Sequence, residues 1–326
     1  MSAPELQTAE SASSHRSVAP PPAPRVLVLL AAYNGSAWIR QQLESVLSQN
    51  GVLLKIVARD DASNDGTRAE LLRFASDARV GLIFEPVRAG SAAGNFLRLM
   101  QLCPSEGFDF VALADQDDIW YPDKLSRACG TIRAHASAGY SSATLAAWET
   151  GRTALVKLSG KPNRSDFLFE GAGQGCTFVM TAPFYERARR FLLERPEMTA
   201  ELHFHDWALY ALARSWGLGW SFDHEPSMMY RQHAGNDTGA RGSARGAMKR
   251  LALIRRGWYR RQLTAVCELC AAAAPDSDTI ASWRIILGLS SGLRRRLQML
   301  RFCLRGGRRR SGDNLVVLIA AAAGWI

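Results

Sequence analysis

Phe108 to Leu125 reads FDFVALADQDDIWYPDKL, and the fold turns on how this stretch is understood. The run Phe110 to Ala114 is apolar on both sides, as a buried parallel strand requires. Three carboxylates then follow within four residues: Asp115, Asp117 and Asp118. Like charges this close at the end of a buried strand repel one another unless a cation neutralises them. Oxygen ligands on a short turn suit a hard divalent ion, Mg²⁺ or Mn²⁺, with coordination positions left for phosphate. Alternation along an extended chain turns Asp115 and Asp117 the same way and Gln116 back. The plainer reading is an acidic turn capping the next helix, with Pro122 near its first turn.

Working outward, the flanking sequence repeats one pattern. Arg25 to Ala32 (RVLVLLAA) is a strand ending in the turn Tyr33-Asn34-Gly35, and a helix is predicted from Ala37 to Ser48. Val52 to Ala58 is a second strand, ending at Arg59-Asp60-Asp61, and Arg68 to Ser76 a helix. Val80 to Glu85 is a third strand, Gly90 to Leu102 a helix, and Phe108 to Ala114 the fourth strand. Such alternation predicts an α/β, Rossmann-like, doubly wound and mostly parallel sheet with right-handed crossovers. Ligands of such sheets sit beyond the carboxyl ends of the strands. Tyr33-Asn34, Asp60-Asp61 and Asp115 to Asp118 all fall there. No G-x-G-x-x-G follows the first strand and no P-loop is present, which argues against a dinucleotide dehydrogenase or an ATPase. An aromatic ring, carboxylates and a metal cluster suit a sugar nucleotide.

Composition sets the bounds. The 326 residues are 47% hydrophobic and 21% charged, a globular balance. The net charge of +10 is uneven: Arg241 to Arg310 holds 17 Lys and Arg against 3 acids. Six irregularly spaced cysteines, including the lone C-x-x-C of Cys267 and Cys270, suggest a reduced chain without a disulfide framework. Met1 to Pro24 is rich in Ala, Ser and Pro and reads as a disordered tail, not a signal peptide. No run reaches the ~18 apolar residues of a spanning helix.

Three blocks carry a family resemblance: Ala31-Ala32-Tyr33-Asn34-Gly35, Arg59-Asp60-Asp61 through Asp65-Gly66-Thr67, and Ala114-Asp115-Gln116-Asp117-Asp118-Ile119-Trp120. Together they resemble glycosyltransferase family 2, the last block its rhamnosyltransferase-like branch. The resemblance spans about Val26 to Gly239 and departs at Ala62, where the family usually has Gly. It implies the GT-A fold and an inverting transferase using a nucleoside-diphosphate sugar with Mg²⁺ or Mn²⁺. By it, Tyr33 would flank the base and Asp61 would accept from the pyrimidine ring. Asp117 would ligate the metal directly, Asp115 would bind ribose or a metal-bound water, and Asp118 would stand behind them. Gly175-Cys176-Thr177 would lie beside the acceptor region.

His205-Asp206-Trp207 opens a predicted helix to Trp216. Asp206 reads as a helix cap by position, while the resemblance makes it the catalytic base that takes the acceptor hydroxyl's proton. His203 and His205 read as satisfied histidines. Leu218 to Phe222 and Ser227 to Tyr230 read as strands. The block Tyr230-Arg231-Gln232-His233, continuing to Asn236, is similar to one in the same branch. Arg231 and His233 would offset charge on the departing diphosphate, or His233 would be a third metal ligand; the plain alternative has them closing a loop.

Residues 1–24 are thus expected as a tail, 25–240 as the catalytic domain, and 241–326 as a basic, amphipathic helical region. In that region Ala244 to Arg261 and Ser282 to Leu304 interleave arginines, including Arg294-Arg295-Arg296, with apolar residues. Such helices fit either an anionic membrane surface or packing on the domain with a solvated basic face. Nucleic acid is not expected, since no reader motif accompanies the charge. The expected protein works in surface polysaccharide assembly on the cytoplasmic side, either free or peripheral on the inner face of the cytoplasmic membrane. Rhamnose is the favoured sugar and a saccharide or lipid-linked glycan the acceptor. A UDP-hexose donor, or a non-catalytic binding module on the same scaffold, are the alternatives.

Overall fold

In the computed structural model, which describes residues 22–233 and 251–326, β1 (Arg25–Ala32) is buried at every position but its first. It lies between β2 (Leu53–Asp60) and β4 (Phe110–Asp115), parallel to both. β3 (Val80–Phe84) extends the sheet beyond β2, again in parallel. The crossovers are α1 (Ile39–Leu47), α2 (Thr67–Leu72) and α3 (Ala92–Leu102). Both faces of β1 are covered, so its side chains divide between two cores. Leu27 and Leu29 face Phe96 and Leu99 of α3. Val26, Val28 and Leu30 face Ile39, Leu43 and Val46 of α1. This is why the strand reads as an uninterrupted apolar run.

Past β4 the sheet continues with β5 (Ile119–Trp120), β6 (Gly139–Trp148), β7 (Thr153–Val156), β8 (Val179–Thr181) and β9 (Trp220–Gln232). The strand order is β3-β2-β1-β4-β8-β6-β9-β5, with β7 paired to β6. β8 is antiparallel to β4 and β6, and β9 is parallel to β6. Leu218 to Phe222 and Ser227 to Tyr230 fuse into the single strand β9, where the sequence suggested two. Ser142 pairs with Asp223 but Ala143 with Pro226, so His224 and Glu225 bulge out of the ladder. Pro226, which cannot donate, sits at that irregularity.

α4 (Lys124–His135) follows β5, and α5 (Ala182–Leu193) and α6 (Pro196–Ala200) precede α7 (His205–Ser215). Trp207 to Ala213 of α7 are all buried, so the helix is enclosed on every side. The C-terminal region forms α8 (Trp258–Ala273), α9 (Asp278–Gly288), α10 (Leu293–Gly306) and α11 (Ser311–Ala323). The span expected as one helix from Ser282 to Leu304 breaks at Leu289 to Gly292, where two serines and a glycine interrupt it. Leu263, Val266, Trp283, Met299 and Cys303 of these helices enter the same core as α3 and α7. All six cysteines are free and buried. The expected tail up to residue 21, together with Asn236, Gly239 and the start of the helix expected from Ala244, lies outside the described residues.

Candidate active site

The carboxyl ends of β1 and β4 are locked together by one side chain. Gln116 accepts from the Tyr33 N–H at 2.7 Å and donates to the Tyr33 carbonyl at 2.8 Å. A Cβ at Gly35 would stand 2.3 Å from Gln116 Oε1, so a larger residue there would displace the Gln116 side chain from its bonds to Tyr33. The Arg88 guanidinium lies over the Tyr33 ring, 3.9 Å from its centroid.

Asp61, at the end of β2, is buried and already well supplied with donors. Its Oδ1 accepts from Arg59 Nη1 at 2.8 Å and from the Ala89 N–H at 2.6 Å, and its Oδ2 from the Gly90 N–H at 3.1 Å. It therefore ties the loop before α3 to β2, and Oδ2 retains lone-pair capacity for one further donor. Ala62, where the family usually has Gly, adopts φ +55°, a left-handed conformation that glycine takes without strain.

The acidic turn after β4 divides its carboxylates. Asp117 Oδ2 pairs with His233 Nε2 at 2.8 Å, and the His233 ring stacks on Trp38 with centroids 3.8 Å apart. Arg231 Nε donates to the Asp117 carbonyl at 3.0 Å and its Nη2 to Gln41 Oε1 at 2.7 Å. The end of β9 thus returns to the turn at which the sequence placed the metal.

Asp118 is fully buried, and among the described residues neither of its oxygens has a hydrogen-bond partner. One ligand atom each of Asp115, Asp118 and Cys176 lie within 4.8 Å of one another. Burial, then the charge of Asp117, pushes the Asp115 carboxyl up to about 7. The same causes, with Asp115 added, hold Asp118 well above the usual carboxylate range. Crowded carboxylates with unsatisfied buried oxygens fit a hard divalent cation. Asp118, expected behind Asp115 and Asp117, shares the Asp115 side of the turn, while Asp117 faces His233.

Lys124 was not anticipated as part of this site. Its ammonium is fully buried, donates to the Cys176 carbonyl at 2.9 Å, and lies 4.3 Å from the Trp120 ring centroid. Burial lowers its pKa to about 8. A lysine opening a helix, where the macrodipole favours acids, was the available signal.

Asp206 is the second residue of α7, in its first turn, and the N-cap position belongs to Phe204, which makes no side-chain cap bond. Its Oδ1 accepts from the adjacent Trp207 N–H at 2.7 Å. Burial raises its pKa to about 6, against the lowering effect of the Trp207 and Gly175 N–H groups. Its charge also acts on Asp115, which places the two carboxylates in one electrostatic neighbourhood. A Cβ on Gly175 would lie 3.1 Å from Asp206 Cβ and 2.8 Å from His205 Nε2, so the turn Gly175–Thr177 presses on the start of α7.

His205 stacks on Phe96, with centroids 4.2 Å apart, and burial depresses its pKa to about 3. Its buried Nε2 has no partner among the described residues, so it is not the satisfied histidine expected. His203 is exposed, and its N–H donates to Gln262 Oε1.

The fold is similar to that of S. aureus TarS 1-349, with a TM-score of 0.52 at 12% identity over 90% of this chain and 81% of that one. The dTDP-rhamnosyl transferase RfbG of Shigella flexneri is 34% identical over 250 residues, 76% of this chain and 86% of that protein. The UDP-Glc:alpha-D-GlcNAc-diphosphoundecaprenol beta-1,3-glucosyltransferase WfgD of Escherichia coli is 32% identical over 100 residues, 31% of this chain and 38% of its own length. A profile of Glycosyl transferase family 2 matches residues 27–194, from β1 to the end of α5. The chain belongs to glycosyltransferase family 2 and is an enzyme of that family.

Proposed function

We propose that this glycosyltransferase moves rhamnose from dTDP-rhamnose to a saccharide or lipid-linked glycan acceptor, with inversion, in cell-surface polysaccharide assembly. The donor reading rests on the likeness to RfbG, which extends over most of both chains. The chemistry rests on one observation: the carboxylates at the end of β4 and the carboxylate at the start of α7 have different surroundings. Asp115, Asp117 and Asp118 crowd one another, whereas Asp206, near enough for its charge to act on Asp115, is supplied with backbone N–H donors and has its pKa raised by burial to about 6. Carboxylates whose environments separate them in this way divide into different roles.

Asp115, Asp117 and Asp118 would hold Mg²⁺ or Mn²⁺, which when bound supplies positive charge for the diphosphate. Tyr33 would flank the base, Asp61 would accept from it through Oδ2, and Asp115 would bind the ribose or a metal-bound water. Asp206 would take the acceptor hydroxyl's proton as that oxygen bonds to the anomeric carbon and the carbon–phosphate oxygen bond breaks on the opposite face. Arg231 and His233, held at the acidic turn, would offset the charge left on the diphosphate. Comparing dTDP release from dTDP-rhamnose with UDP release from UDP-glucose and UDP-galactose, with and without Mn²⁺, tests the donor. Turnover confined to a UDP-hexose would overturn the rhamnose reading.

We also infer a membrane-facing side, with the protein at the inner face of the cytoplasmic membrane. No helix among the described residues is long and apolar enough to cross a membrane. On α10, however, Leu293, Leu297 and Leu304 are 72%, 46% and 70% exposed. At 100° per residue they form one stripe, flanked by the exposed Arg294, Arg301 and Arg305. Leu315, Val316 and Ile319 add a second exposed apolar edge on α11. Arg295 of the arginine run turns inward, where its Nη2 donates to the Gly324 carbonyl, and takes no part in this face. Outward leucines beside arginines match the chemistry of an anionic lipid surface. The residues 1–24, 25–240 and 241–326 remain our proposed division of the chain, the last carrying this face.

A further inference from the structure

The connection between α10 and α11 is driven into the catalytic region. Arg309, its side chain 1% exposed, donates from Nη1 to Asp166 Oδ2 at 2.6 Å and from Nη2 to the Gly171 carbonyl. Its backbone N–H donates to Glu170, which also accepts from Arg308. Asp166 is fully buried, so a guanidinium there is a structural commitment.

The segment gripped in this way lies along α7 towards Asp206. At its first end Asp166 accepts from Tyr210 and Arg214, on later turns of α7. Next, the Phe167 carbonyl accepts from Trp207 Nε1 at 2.7 Å. At Gly171 the backbones approach so closely that a Cβ would meet Trp207 Cα at 3.3 Å. Gly175, four residues on, presses against Asp206 itself. Asp166 and Gly171 are the two points the Arg309 guanidinium holds, with Glu170 on its backbone N–H, and along this stretch the chain is fastened to the residue beside Asp206.

We propose that Arg309 is a positioning residue for the transfer reaction, strapping the segment from Asp166 to Gly171 against α7 so that Asp206 meets the acceptor in register. The proposal rests on the reading of Asp206 as the base. It gives part of the basic C-terminal region a role that its charge alone does not suggest. Misplacement of a reacting group by about 1 Å lowers turnover on the order of a hundredfold.

The test uses the full chain with dTDP-rhamnose and Mn²⁺, following dTDP release to water, and compares Arg309→Gln, Arg309→Lys and Asp206→Asn. Arg309→Gln should lose roughly ten- to a hundredfold in kcat per folded molecule, with the KM for donor within about twofold and an altered acid limb in the kcat–pH profile. Arg309→Lys, which keeps a cation for Asp166 but cannot also reach Gly171, should recover part of the loss. If Arg309→Gln does not fold, Glu170→Gln is read in its place and should show the same split more weakly. Activity that falls only with the folded fraction, on an unchanged acid limb, would overturn the strap. Should Asp206→Asn keep wild-type turnover, the base reading fails and the strap with it; with that variant inactive, a normal kcat in Arg309→Gln overturns the strap alone.

Discussion

Asp206, half-buried, and Asp118, fully buried, both have raised pKa values, yet their surroundings call for different chemistry. Asp206 accepts from a backbone N–H and is lifted only to about 6, so it is mostly ionised at neutral pH and free to take a proton. Its kcat should fall about tenfold per unit as pH drops below about 6, because the protonated acid cannot act as a base. Asp206→Asn should lose roughly 10²–10⁴ in kcat with donor affinity kept, as stopped assays at saturating donor would show. The stability sign runs the other way. A carboxyl with a folded pKa above its unfolded value contributes stability at low pH that is lost as pH rises through about 6. Asp206→Asn should therefore melt somewhat higher than wild type at pH 8. Neither Asp118 oxygen has a hydrogen-bond partner by geometry among the described residues, and the Cys176 thiol and Lys124 charge offset its burial only in part. Asp118→Asn should raise the melting temperature without metal and diminish the further rise that Mn²⁺ produces, both readable by calorimetry.

At the scale of elements, the turns decide what the strands only prepare. Ala62 holds a left-handed φ of +55° directly after Asp61. Ala62→Gly should relieve about 1 kcal/mol of strain and return a comparable part through a looser unfolded chain, so thermal unfolding should shift little. A loss of several degrees would mean that the methyl group is packed. The outward stripe of α10 yields a sharper expectation. Replacing Leu293, Leu297 and Leu304 with Ser should abolish binding to vesicles rich in phosphatidylglycerol and leave dTDP release to water unchanged. Binding that survives this change, or that ignores salt and lipid charge, would make the face a solvated or protein-covered one.

Across the whole molecule, the parallel half of the sheet was legible because doubly buried strands leave unbroken apolar runs and their turns announce themselves with Asn34-Gly35 and Asp65-Gly66. That the polar clusters after β1, β2 and β4 gather in one place was legible for the same reason, since strand order brings these ends together. Lys124 was not legible, and Cys176 only as part of a segment expected beside the acceptor region. Only the folded chain brings the Cys176 carbonyl to within 2.9 Å of the lysine. Nor did any local pattern announce Arg309 against Asp166, 143 residues away in sequence. Charge composition described the C-terminal region as one basic block, whereas the structure turns Arg295 and Arg309 inward and Arg294 and Arg301 outward. The proposed mechanism divides the labour between the Asp115–Asp118 cluster and Asp206. Calorimetric titration of dTDP-rhamnose in Mn²⁺, set beside turnover for the same proteins, tests it most directly. Asp117→Ala should lose the metal-dependent part of donor binding, and Asp206→Asn should bind donor as wild type does while turning over roughly 10²–10⁴ more slowly. Unchanged donor affinity in Asp117→Ala, or lost affinity with full turnover at saturation in Asp206→Asn, would contradict it.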